Sequence, residues 1–80
     1  MSSKQQLRKW IIKALEEMSG SASLLDICKY VWNNYEEDLR NSGDLFYTWQ
    51  YDIRWAATDL RKSGLIKPAK ESPRGLWELS

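Results

Sequence analysis

The sequence predicts a mainly helical α+β fold: three helices followed by a small two-stranded antiparallel β-hairpin. Three observations carry this. Apolar residues recur at helical spacing in three successive stretches. Two short apolar pieces follow, at 65–67 and 76–79, separated by a connection rich in Pro and Gly. No repeat, linker or low-complexity segment divides the 80 residues, so they form one domain, 1–80, with 1–4 a loose polar start.

The first helix is expected over Gln5–Met18. Leu7, Ile11, Ala14, Leu15 and Met18 form its apolar stripe, and Trp10 lies at the edge. Ser19-Gly20-Ser21 ends it, and Ala22 sits in a short extended piece. Ser23-Leu24-Leu25-Asp26 has the S-x-x-D pattern of a capping box and opens the second helix. Its stripe is Leu24, Ile27, Cys28, Val31, Trp32, Tyr35 and Leu39. Glu36, Glu37 and Asp38 oppose the negative end of a helix dipole, so fraying or a break is expected around 36–40.

Asn41-Ser42-Gly43-Asp44 is a loop, and Leu45 and Phe46 dock it onto the core. The third helix is expected from Thr48, whose hydroxyl can cap a helix start, to Gly64, which suits a helix C-cap. Trp49, Ile53, Ala56, Ala57 and Leu60 share its apolar face. Tyr51, Arg54, Trp55, Thr58 and Lys62 fall on the opposite face, an unusual mixture of aromatic, hydroxyl and basic groups. Leu65–Lys67 and Leu76–Leu79 then form the hairpin around Pro68–Gly75. Three helices with a hairpin directly after the third make a winged helix-turn-helix.

Composition narrows function mainly by exclusion. With 42% hydrophobic and 29% charged residues the chain is an ordinary globular one. Five Trp supply large buried area to a small core. One Cys forms no internal disulfide, and Cys28 reads as a buried thiol. No signal peptide or membrane span is visible, so a cytoplasmic location is the expectation. The absence of His removes His-dependent triads and His-containing zinc sites; a single Cys removes an all-Cys zinc site. No Gly-rich phosphate loop is present, and no acid has Lys two positions on, as a restriction-type nuclease requires. Neither catalysis, a cofactor nor a metal is expected.

Binding remains. Net charge is only +1, but its distribution is uneven: residues 1–44 carry −1 and residues 45–80 carry +2. A recognition helix lies in the major groove with its N-terminal residues against base edges. Arg54 is the candidate for bidentate contact with guanine; a surface salt bridge to Asp52, Asp59 or Glu78 is the alternative. Thr48, Gln50 and Tyr51 lie near the entering end, with Gln50 suited to adenine and Tyr51 to a phosphate. Thr58 and Lys62 continue the same face. Lys70 and Arg74 in the wing suit phosphates, whereas Arg61 reads as a cation favoured by its helix C-terminus. Trp55 is expected under the hairpin, against Trp77 or Leu79.

The C-terminal half also carries a family likeness. Ile53-Arg54-Trp55-Ala56, Leu60-Arg61-Lys62-Ser63-Gly64-Leu65-Ile66 and Ser72-Pro73-Arg74-Gly75-Leu76-Trp77-Glu78-Leu79-Ser80 together resemble the N-terminal domain of Mrr-type restriction systems. The likeness covers residues 45–80; the first 44 fit only in helical order. It implies a winged helix that binds duplex DNA and precedes a separate nuclease domain cutting modified DNA. It supports Trp55, Gly64, Gly75 and Trp77 as structural positions and singles out no base-contacting residue. The chain is expected to be an excised domain of such a protein, with duplex DNA, a partner nuclease domain or a homodimer as partners and no membrane. Competing expectations are a protein–protein interaction or dimerisation module, favoured by the low net charge and exposed aromatics, and a transcriptional regulator of the same fold.

Overall fold

A computed structural model describes residues 4–80. The loose start expected for 1–4 lies outside the described residues except for Lys4, which is already helical. Helix α1 spans Lys4–Glu17, strand β1 Ser21–Ser23, helix α2 Leu24–Arg40, helix α3 Leu45–Lys62 and strand β2 Leu76–Glu78, with a short 3₁₀ turn at Ala69–Glu71. Three helices with a small antiparallel sheet are thus the observed architecture, as the sequence predicts.

The core forms where the three apolar stripes meet. Leu7, Ile11, Ala14 and Leu15 of α1 are fully buried against Ile27, Val31 and Leu39 of α2 and Ile53, Ala57 and Leu60 of α3. Each Leu, Ile or Val among them contributes about 1.5–3 kcal/mol by leaving water. Aromatics wrap this centre. Trp10 stacks on Tyr35 at 4.4 Å, and Trp32 stacks on Trp49 at 6.3 Å. The Arg40 guanidinium lies 5.4 Å from the Trp32 ring and is also held by Glu36 at 2.7 Å.

Helix ends follow local chemistry. After α1 the Gly20 N–H reaches back to the Leu15 carbonyl at 2.6 Å, with Ser19 in the left-handed conformation at φ 64°. At α2 the Ser23 hydroxyl accepts the Asp26 N–H at 3.1 Å, as the S-x-x-D pattern predicts. Instead of breaking at 36–40, α2 runs on to Arg40; it leaves helical geometry one residue earlier, at Tyr35 (φ −129°, ψ 20°).

Helix α3 begins three residues before the expected cap. Asp44 stands at its N-cap, and Leu45 and Phe46 pack on the core as expected, but as the first turn of the helix rather than as part of a loop. Thr48 is therefore an interior residue and not the N-cap. Gly64 does end the helix as expected: at φ 77° it lets the Leu65 N–H bond the Leu60 carbonyl at 3.0 Å.

The sheet is shared differently from a simple hairpin. Its ladder joins β1 to β2, with Ala22 opposite Trp77. On the other side of the β2 segment, residues 65–67 pair through a single bridge, Ile66 to Leu79. That bridge is framed by Lys67 N–H to the Glu78 carbonyl at 2.8 Å and Ser80 N–H to the Leu65 carbonyl at 3.2 Å. The C-terminal segment is thus the middle strand, and it fastens the wing to the turn between α1 and α2.

Candidate nucleic-acid interface

The stripe that buries α3 also fixes what it shows to solvent. With Trp49, Ile53, Ala56, Ala57 and Leu60 inside, the outer arc runs from Gln50 through Arg54, Tyr47, Thr58, Tyr51, Lys62 and Trp55 to Thr48. At 100° per residue this covers about 160° of the helix. Gln50, Tyr51, Arg54 and Lys62 are exposed there, and Thr58 is partly so. The structure thereby brings the α3 candidates together on one surface.

Two of them are committed to the helix itself. The Thr48 hydroxyl donates to the buried Asp52 carboxylate at 2.7 Å, and the Thr58 hydroxyl donates to the Arg54 carbonyl at 3.2 Å. Both therefore have their hydroxyl protons occupied. Arg54 has no such commitment. The expected alternative of a bridge to Asp52, Asp59 or Glu78 is not realised: Asp59 pairs with Arg8 of α1 at 3.7 Å, and no ion pair among the described residues includes Arg54.

That freedom extends to the whole late basic set. Ion pairs among the described residues use Arg8, Lys13 and Arg40, all from the first half of the chain. Arg54, Arg61, Lys62, Lys67, Lys70 and Arg74 enter none. Of these, Arg54, Lys62, Lys70 and Arg74 are exposed along α3 and its wing. The charge asymmetry of the sequence is therefore sharpened in three dimensions.

The expectation for Trp55 is corrected. It is 57% exposed and meets the Tyr51 ring edge-on at 6.2 Å, rather than lying under the wing. The reason is the sheet: β2 pairs with β1, so Trp77 packs opposite Ala22 and the wing does not fold over the outer arc. Tyr47, 83% exposed, precedes Tyr51 by one turn and extends the aromatic row. A helix expected from Thr48 leaves Tyr47 just outside it; the four-residue spacing of Tyr47, Tyr51 and Trp55 is the signal that brings it in.

On its other flank α3 borders a groove of about 370 Å³ shared with α2, lined by Leu25, Cys28, Lys29, Trp32, Trp49 and Gln50. Cys28 is half-buried rather than sealed. Burial pushes its thiol pKa up, and the nearby Arg54 charge partly opposes the rise. No group of three or more metal-ligating side chains is present among the described residues, and no helix among them is long and apolar enough to cross a membrane.

No family model, curated protein or solved structure matches the chain. The functional reading accordingly rests on the surface just described.

Proposed function

We propose that this winged helix binds duplex DNA, with the outer arc of α3 in the major groove and the wing against the backbone. The observation that carries the reading is the set of exposed cations outside every ion pair among the described residues: Arg54 and Lys62 on α3, Lys70 and Arg74 on the wing. Unpaired surface cations are free to displace counterions from phosphates, which supplies most sequence-independent affinity. Arg54 stands mid-helix with its guanidinium uncommitted, as bidentate reading of guanine requires. Gln50 and Tyr51 flank it toward the helix N-terminus. The resemblance to Mrr-type N-terminal domains extends the reading: a targeting module for a restriction system, without catalytic activity of its own, acting beside a nuclease domain.

The test is an NMR shift titration with short duplexes, methylated and unmethylated. Perturbations are expected over residues 47–58 and 70–75. The combined Arg54→Ala, Lys70→Ala, Arg74→Ala variant should lose binding while keeping its fold; undiminished affinity would remove the site assignment.

A second reading has its own observation. Tyr47, Tyr51 and Trp55 present a row of exposed rings, and such residues anchor protein interfaces. This reading predicts self-association or partner capture through α3. Sedimentation of the free protein as a monomer at high concentration would oppose its homodimer form.

A further inference from the structure

Where the end of α3 meets the wing, a cleft of about 260 Å³ opens between Arg61, Ser72, Pro73, Arg74, Gly75 and Trp77. Arg61 and Ser72 both line it, and their Nε and Oγ atoms are sealed from solvent with no hydrogen-bond partner among the described residues. Buried polar atoms are almost always partnered, because a donor stripped of water and left unmet is costly. Here two occur at one place. Arg61 Nε–H can only donate, and the Ser72 hydroxyl is free to donate.

Their missing partner is therefore an acceptor. Its charge follows from the surroundings: among the described residues neither Arg61 nor Arg74 is in an ion pair, and no carboxylate lines the cleft. We infer that this cleft is a binding site for a single phosphate group, with the partly buried Arg61 and Ser72 side chains turning toward it to donate to its oxygens and Arg74 closing over it from the wing. A phosphate's three or more acceptor oxygens match donors converging from a helix end and a loop, and charge-assisted bonds to Arg are the strong ones. The site stands independently of the DNA reading; only the source of the phosphate, a DNA backbone diester or a free phosphate, depends on it.

The probe is inorganic phosphate against chloride at matched ionic strength, followed through the Arg61 Nε–H resonance. A saturable shift at millimolar phosphate is expected, weakened about tenfold in Ser72→Ala. Ser72→Ala also provides a check of opposite sign. In chloride it removes an unmet hydroxyl, so its melting temperature should equal or exceed that of the parent; in phosphate it should gain less than the parent does. Duplex DNA that displaces phosphate from this resonance would identify the backbone as the source. Duplex that perturbs α3 but leaves the resonance unmoved would identify a free phosphate group instead. Phosphate binding with no DNA binding at all would keep the site and overturn the DNA reading. A resonance that responds no more to phosphate than to chloride would overturn the inference.

Discussion

Replacing Lys70 with Gln should flatten the salt dependence of DNA binding, while replacing Lys13 with Gln should not, although both remove one positive charge. The distinction lies in how each is held. Lys13 sits on α1 at 3.7 Å from Glu17, so its charge is already locally balanced. Lys70 is exposed on the wing and outside every ion pair among the described residues. Taking Lys62, Lys70 and Arg74 as phosphate partners and Arg54 as a base reader gives about three displaced counterions. The slope of log K against log salt is then about −0.9 for each, or about −2.7 together. Raising salt from about 50 to about 200 mM should weaken binding about fortyfold. Lys70→Gln and Arg74→Gln should each remove about 0.9 from the slope, and the pair together should leave about −0.9. Arg54→Ala should instead cost about 1–3 kcal/mol at any salt and relax preference at one base position. Fluorescence anisotropy with a labelled duplex over a salt series measures all of these. If Lys13→Gln flattened the slope as much as Lys70→Gln, net charge alone would govern binding and the assignment of a particular surface would fail.

Two further outcomes follow from the fold. Ser19 holds the left-handed conformation at the end of α1, where an L side chain costs about 1–2 kcal/mol and Gly costs little, so Ser19→Gly should stabilise the domain by about 0.5–1 kcal/mol after the added unfolded-state entropy. That corresponds to a rise in melting temperature of about 2–8 °C, and a fall would show that the Ser19 side chain is needed where it stands. Burial raises the Cys28 thiol pKa, so the native state holds its proton more tightly than the unfolded chain. This stabilisation is complete below the ordinary thiol value and is lost as pH rises through the higher folded value; Cys28→Ala should remove that alkaline decline in urea-melt midpoints, and iodoacetamide should modify the native thiol more slowly than the unfolded one.

The helices were legible because their evidence is local. Leu7-x₃-Ile11-x₃-Leu15 and the Ser23 cap define α1 and the start of α2 within a turn or two of chain. The start of α3 was misplaced by a local signal that had two uses: Thr48 has a capping side chain, but its hydroxyl serves Asp52 inside the helix. Leu45, one turn before Trp49 and two before Ile53, was the competing evidence. Strand β1 is legible only as a short extended piece at Ala22; its pairing is not, since Ser-Ala-Ser has no β-branching to mark a strand and its partner lies at the far end of the sequence. The same non-local pairing explains Trp55. Its position on the helix wheel was correct, but only knowledge of where β2 docks says whether anything covers it. Most candidate residues reached the surface as expected; Arg61 and Ser72 did not register because an unmet buried donor is a property of tertiary packing alone.

Of the three segments in the sheet, the one in the middle is synthesised last. Until it arrives, Ser21–Ser23 and Ile66 have no strand to pair with, and the loop bearing Lys70 and Arg74 is anchored at one end only. A nascent chain can therefore assemble its helical bundle early, yet the two halves of the proposed contact surface acquire a fixed spacing only when that final ribbon slides between them. Lesions at Leu76 or Glu78, which lie outside the core that Trp77 joins, should consequently be read as faults in alignment, felt at the wing before they are felt in the bundle.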